Sequence, residues 1–427
     1  MNAIQPHLLN KVLHSLLVLG LFAMFGNATL SLAEETPAQT PMDSSVTLRG
    51  FGTVGVARSS SDQAEFMRDL SQPRGISDHW SGRIDSVLGG QVNWQISSTV
   101  EIVGQVVSRY HYDGSRNPEL MWAFAKWDPD ARVSLRAGRI GADFMMSADS
   151  RLVNYSSMTV RPSADYFGPL FFSHFDGADA TFTLPLANGL VRSKVFAGAT
   201  HEKAIGTPGV WNTSGSPVNG FVLDYLTGPW QFRASATNIR FSSDINFLAL
   251  TDPLRAVGAG FGYPSAVAAA DALGTKNTTT RFYSLGAVYD DGPLQVQAML
   301  NSIRQETAVF QNSHAGYVLA GYRLGAFTPY AGVSWWKSKF KPYSTGLPSG
   351  VGLDTLNQNF DHIMAASGVD QRTYTLGMRW DVQPNVAVKA QWDAIRGTSA
   401  SLFPFQNVKS GWNGHTDVLS LTLDFIF

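Results

Sequence analysis

The sequence contains no cysteine. Disulfides, thiolate metal sites and a cysteine nucleophile are thereby excluded. Charge is sparse: 15% of the 427 residues are Asp, Glu, Lys or Arg, against about 25% in ordinary soluble domains. The charges also balance, with 32 basic and 33 acidic residues, so no basic footprint exists for nucleic acid. Beyond residue 33 no apolar run approaches the roughly 20 residues that a membrane-spanning helix needs. Catalytic signatures are missing as well: there is no HExxH, no Walker sequence, and the nine histidines show no metal-ligand spacing. Gly258–Gly262 is glycine-rich but lies in a long loop without the strand–helix context of a dinucleotide site. Nothing marks a nucleophile. The chain reads as a non-enzyme with no cofactor and no metal.

What is present begins with residues 1–33. Lys11, the apolar run Leu16–Phe25 and the small-x-small triplet Ser31-Leu32-Ala33 have the form of a cleavable secretory signal peptide; an uncleaved N-terminal anchor is the alternative. Residues 34–45 read as a polar leader, and residues 46–427 as one domain without a linker. Forty glycines and twenty prolines predict many turns. If this chain crosses a membrane, it does so as strands.

The stretch around which the chain is organised is His415–Phe427. Leu419, Leu421, Leu423, Phe425 and Phe427 fall on one parity, and Ser420, Thr422 and Asp424 on the other. Successive strand residues point to opposite faces, so one face is apolar and the other mostly polar. An ordinary half-buried strand of a soluble protein would show this too. A closed membrane barrel explains it further, because closure removes the unpaired edge.

The same alternation recurs along the chain. Candidate strands lie at Val46–Ala57, Ser81–Gln95, Thr99–Tyr112, Glu119–Trp127, Ala131–Ile140, Phe175–Leu184, Leu190–Glu202, Gly220–Leu226, Trp230–Ser242, Thr278–Tyr289, Leu294–Thr307, His314–Leu324, Phe327–Phe340, Arg372–Val382, Asn385–Arg396 and Thr416–Phe427. Thr278–Tyr289 and His314–Leu324 have ambiguous parity. The total is about sixteen, with eighteen or fourteen within the spread of the pattern. Tight turns such as Ala187-Asn188-Gly189 and Gln383-Pro384 alternate with longer loops, as in an up-and-down barrel with short turns on one side. Aromatics near strand ends fit interfacial girdles, and fit ordinary β propensity as well. The fold class is thus all-β, an antiparallel up-and-down transmembrane barrel.

Several short stretches carry a resemblance: Leu48-Arg49-Gly50-Phe51-Gly52, Leu135-Arg136-Ala137-Gly138-Arg139, Trp380-Asp381-Val382-Gln383-Pro384-Asn385-Val386-Ala387-Val388-Lys389, and the ending Leu423-Asp424-Phe425-Ile426-Phe427. In this order they resemble the general Gram-negative outer-membrane porin superfamily over nearly all of residues 46–427. The resemblance implies a sixteen-stranded barrel with a water-filled pore in the outer membrane, contact with outer-membrane lipid, a homotrimer, and small hydrophilic solutes as cargo. Leu423, Phe425 and Phe427 resemble the assembly signal read by the barrel-assembly machinery. The resemblance further implies that the loop after strand five, here Gly141–Ser173, folds inward and narrows the pore; the alternative places it outside, over the mouth. This loop lacks the Pro-Glu-Phe-Gly-Gly tip of the best-known enterobacterial porins. Its candidate constriction residues are Asp143, Asp149, Arg151, Arg161 and Asp165.

A charge facing lipid at the bilayer midplane costs about 2–4 kcal/mol, so the polar parity of each strand should face the lumen. That assigns Arg49, Arg83, Asp85, Glu101, Gln105, Arg109, Arg136, Lys194, Asp224, Arg233, Arg379, Lys389, Gln391 and Asp393 inward. Basic groups slightly outnumber acidic ones, predicting weak anion preference or little selectivity. The readings that follow are a passive diffusion porin; a substrate-specific uptake channel of the eighteen-stranded or anion- and phosphate-selective kind; and an adhesion or structural barrel.

Overall fold

The computed structural model describes residues 44–170, 172–206 and 209–427. The signal peptide expected at residues 1–33 and residues 34–43 of the expected leader lie outside the described residues. Sixteen antiparallel strands close into one barrel. The first eight are β1 (Ser45–Ser59), β2 (Val87–Gln95), β3 (Val100–Arg109), β4 (Glu119–Asp130), β5 (Val133–Gly141), β6 (His174–Leu186), β7 (Gly189–Thr200) and β8 (Ser216–Thr227). The second eight are β9 (Trp230–Arg240), β10 (Thr279–Asp291), β11 (Leu294–Gln305), β12 (Asn312–Tyr322), β13 (Phe327–Lys339), β14 (Asp370–Gln383), β15 (Val386–Gly397) and β16 (His415–Ile426). Each strand pairs with its chain neighbours. The seam is made by β1, which pairs with β2 from Ser45↔Gln95 to Thr53↔Val87 and with β16 from Phe51↔Ile426 to Ser59↔Val418.

The period-two pattern sets the two faces of the wall. On β16, Leu419, Leu421 and Leu423 are 50%, 47% and 42% exposed on the outside, while Val418, Ser420, Thr422 and Asp424 are buried inside. Seven tight connections, such as 131–132 and 292–293, lie at one end and eight longer loops at the other. Outward aromatics gather near the tight-turn end: Trp230 stacks on Phe232 at 5.5 Å, and Phe327 on Trp380 at 5.8 Å.

Three differences from the sequence reading have physical causes. The strand expected from Ser81 begins only at Val87. Residues 81–86 belong to the loop, and Ile84, expected on the lipid face, is buried with Phe66, Ile76, Phe405 and Trp412. Second, two connections read as plain loops contain helices: α1 (Leu248–Phe261) and α2 (Pro264–Ala272) between β9 and β10, and α3 (Asp354–Ala365) between β13 and β14. The glycine-rich stretch 258–262 is the end of α1, where Gly262 adopts φ 75° and the Tyr263 amide bonds back to Gly258 O. Third, the inner wall is partly apolar. Phe282 on β10 and Tyr317 and Leu319 on β12 point inward and are buried, which is why those two strands had ambiguous parity. Their cover is the segment 142–173, which supplies Phe144, Met145, Met146, Met158, Tyr166, Phe167 and Leu170 to the same apolar cluster. Leu250 and Leu254 of α1, Ala269 of α2 and Phe360 and Met364 of α3 join that cluster from the long-loop end.

Candidate functional site: the lumen and the segment that crosses it

Segment 142–173 leaves the end of β5 and is tied to inward-facing groups on opposite stretches of wall. Arg161 is the firmest tie. Its guanidinium reaches Asp85 at 2.6 Å and Asp393 of β15 at 3.0 Å, and it also donates to Ser420 of β16. All three ionic groups are buried. Burial opposes the charge on Arg161, and the two carboxylates outweigh that penalty and raise its pKa. Asp165, a few residues on, accepts from Ser334 of β13 and Gln371 of β14, each at 2.6 Å; burial pushes its carboxyl pKa up. Tyr166 shares a hydrogen bond with Ser284 of β10 at 2.7 Å, and its ring packs edge-on against Tyr317 at 5.3 Å. Earlier in the segment, Asn154 donates to Thr53 of β1 at 3.1 Å. Lys389 donates to Asn154 O at 2.6 Å and Thr159 O at 3.1 Å, and pairs with Asp424 at 3.0 Å.

Most of the charges picked out from the sequence are engaged in this way. Arg136 pairs with Asp179 at 2.5 Å and lies 3.7 Å from Asp143, which also takes Lys194. Arg233 pairs with Asp224 at 2.6 Å and donates to Asp143 O at 2.7 Å. Arg379 pairs with Asp381 at 2.7 Å and donates to Tyr155 O and Ser157 O. Arg109 is buried beside Ser71 and lies 3.8 Å from Glu119. Arg151 is buried and donates to Phe172 O and the Ser173 hydroxyl; burial lowers its pKa to about 10. Glu101 accepts from Asn93 at 2.6 Å. Arg83 is not on a strand: it sits in the loop between β1 and β2 and donates to Gly75 O at 2.8 Å.

Two of these candidate charges are exposed, Arg49 near the tight-turn end of β1 and Asp149 in the crossing segment, and so is Arg192 on β7. Arg192 shares the parity of Lys194, two residues along β7, and that alternation is the signal that places it inward. Where the segment does not touch the wall it leaves a cavity of about 110 Å³. Its lining is mixed: Ser147, Ser157 and Thr159 on the segment and Gln297, Ser334 and Thr375 on the wall share it with Phe167, Leu319 and Ile395 and with the paired Arg161 and Asp393. Uncharged polar residues of this kind give a weak signal in sequence, because Ser and Thr are common on strands and loops alike. Among the described residues no group of three or more His, Asp or Glu is placed to hold a metal ion.

No family model matches this chain, and no curated protein matches it. Solved structures do. Salmonella typhi OmpF in complex with daunomycin is 14% identical, covers 90% of this chain and 97% of that chain, and has a TM-score of 0.54. An anion-selective porin from Comamonas acidovorans is 12% identical, covers 90% and 100%, and has a TM-score of 0.52. The outer membrane channel DcaP of Acinetobacter baumannii is 10% identical, covers 90% and 97%, and has a TM-score of 0.52. At these identities the likeness is one of fold. The closed barrel of sixteen antiparallel strands is a porin fold.

Proposed function

We propose that this protein is an outer-membrane porin, a narrow water-filled channel for passive diffusion of small hydrophilic solutes. The observation that carries this reading is a closed strand wall whose outer face is apolar and whose interior holds a cavity lined in part by hydroxyl and amide groups, beside the crossing segment. The similar structures named above include a porin and an outer-membrane channel, which supports the same class. Because most candidate charges are paired, the passage has little net field, and we infer weak ionic selectivity and a preference for neutral solutes. We place the mature protein in the outer membrane after removal of residues 1–33, as a homotrimer. In this reading the barrel-assembly machinery recognises Leu423, Phe425 and Phe427.

A second reading, a substrate-specific uptake channel, is favoured by one observation: α1, α2 and α3 pack into the apolar cluster at the long-loop mouth, narrowing the entrance. Sixteen strands remove the eighteen-stranded form of that reading.

The absence of cysteine makes the test direct. A Thr375→Cys variant in planar bilayers should lose conductance when a charged methanethiosulfonate reagent is added, and Leu376→Cys on the outer face should not. A large ohmic step in the unmodified protein supports the diffusion porin, and a small step blocked by one solute supports the specific channel. No conductance, or equal insensitivity of both variants, would sink the channel reading.

A further inference from the structure

On the outer wall across β8–β13 the side chains shrink along two rows. One row runs Phe221, Ala236, Tyr283, Ser302, His314 in direct cross-strand register, and the next runs Leu223, Ala234, Leu285, Leu300, Gly316, Trp335. Ala234, Ala236 and Ser302 form the floor of a groove. Its walls are Phe221, Tyr283, Leu285, Leu300 and Trp335, with Tyr283, Leu285 and Leu300 46%, 58% and 50% exposed. The lining is almost wholly apolar, and the void measures about 600 Å³.

One row nearer the long loops the chemistry reverses. Arg281 is in register with Arg304, and Lys339 with Asn312, both one step beyond the Ile303↔Ser313 pair toward the long loops. His314 and Lys337 stand at the groove's edge, and Arg372 is paired in register with Trp335. Two of these cations are answered, Arg281 by Glu306 at 2.8 Å and Lys337 by Asp370 at 3.2 Å. Arg304, Lys339 and Arg372 are exposed and have no carboxylate partner among the described residues. Adjacent strands are about 4.8 Å apart, so Arg304 on β11 and Lys339 on β13 can reach one bound phosphate, and Arg372 on β14, level with Trp335, a second. Two unneutralised cations above an apolar groove, with a third beside its Trp335 wall, fit a molecule with the opposite layout: phosphates above and at the flank, acyl chains below.

We propose that this face is a lipid site, taking a phosphorylated, multiply acylated lipid of the surrounding leaflet. One phosphate is held by Arg304 and Lys339 and another by Arg372, and an acyl chain lies in the groove floored by Ala234 and Ala236. The proposal rests on the outer-membrane reading above, and separates from it because conductance and lipid retention are measured independently.

The experiment is native mass spectrometry of the detergent-purified barrel incubated with bis-phosphorylated hexa-acyl lipid A, its dephosphorylated form, or phosphatidylethanolamine. The expected result is a retained adduct with lipid A, at least fivefold weaker with either of the other two. Arg304→Gln/Arg372→Gln should reduce the lipid A adduct at least fivefold, and Ala236→Trp, which fills the groove, should do the same. Folding of each variant is checked by heat-modifiable migration, and the comparison of the three lipids on the unmodified protein stands if a variant fails to fold. Equal retention of phosphorylated and dephosphorylated lipid A would overturn the proposal. So would complete displacement of lipid A by millimolar inorganic phosphate, which would leave the groove without a role. A loss of oligomer in Ala236→Trp with lipid retention unchanged would assign the groove to a neighbouring protomer instead.

Discussion

The ring of Phe427 occupies the space beside Gly50 of β1 where a side chain would stand. A Cβ placed on Gly50 would sit 2.1 Å from Phe427 Cζ, and the two residues exchange backbone hydrogen bonds of 2.8 and 3.0 Å. Two residues along, the Phe425 ring covers Gly52 in the same manner. The glycines leave gaps on the outer face of β1, and aromatic rings from the partner strand fill them.

Gly50→Val should therefore push the Phe427 ring off the seam and destabilise the barrel by about 1–3 kcal/mol, as overpacking does. Deleting Phe427 should lower the folded fraction, read by heat-modifiable migration, far more than it alters conductance in the molecules that do fold. Normal insertion of the truncated chain would contradict this account of the seam.

Arg161 is the buried cation on which two buried carboxylates depend. Arg161→Met strands Asp85 and Asp393 inside the barrel, and removal of one member of a buried ionic cluster costs about 3–5 kcal/mol. The unfolding midpoint in urea should fall accordingly. In molecules that remain folded the crossing segment keeps the Lys389 bonds to Asn154 O and Thr159 O but loses the Arg161 ties to Asp393 and Ser420, so single-channel conductance should rise. Replacing 141–173 by a short turn should raise it further.

Ionic selectivity should follow the unpaired charges. Arg192→Gln should shift the reversal potential in a salt gradient by several millivolts toward cation preference, and Asp149→Asn by a similar amount the other way. Arg233→Gln should instead lower stability, because it leaves Asp224 buried without its partner. A larger selectivity change from Arg233 than from Arg192 would show that the ion pairs do not neutralise the field as their geometry implies.

Acid should act through Glu202, in the loop after β7. Burial pushes its carboxyl up, but His174 at 3.1 Å, Arg109 and the amides of Ser173 and His174 pull it from 4.5 down to about 2. A carboxylate depressed in the folded state contributes stability above its unfolded pKa and loses it as pH falls through the folded one. The contribution, on the order of 3 kcal/mol, should be complete above about pH 4.5 and disappear toward pH 2. Glu202→Gln should lack it at neutral pH and show a flatter unfolding free energy between those limits, measured by denaturant titration at stepped pH.

The strands and the seam were legible because a wall with lipid outside and polar groups inside imposes a strict period of two. The ending of the chain shows it most plainly, since Thr422 and Asp424 face inward and their neighbours Leu421, Leu423 and Phe425 face outward. Legibility failed where the lumen is not water. Tyr317 and Leu319 look outward by polarity and point inward, because a loop distant in sequence covers them. The candidate charges could be assigned to the lumen but not sorted into paired and free. Asp85 and Asp393 gain their partner from residue 161 through the fold, and nothing local to either residue encodes that contact. The helices escaped for another reason: Ala-rich α2 has little amphipathic pattern, and its cue is chiefly Pro264 at its first position.

Asn154 touches both sides of the seam, donating to Thr53 on β1 while its carbonyl receives Lys389, which in turn holds Asp424 on β16. Thr53 and Asp424 are themselves joined across the seam at 2.6 Å. Closure of the barrel and seating of the crossing segment therefore share one set of groups. Thr53, Asn154, Lys389 and Asp424 fasten the wall from within as well as along its edge, so a change at any of them loosens both at once.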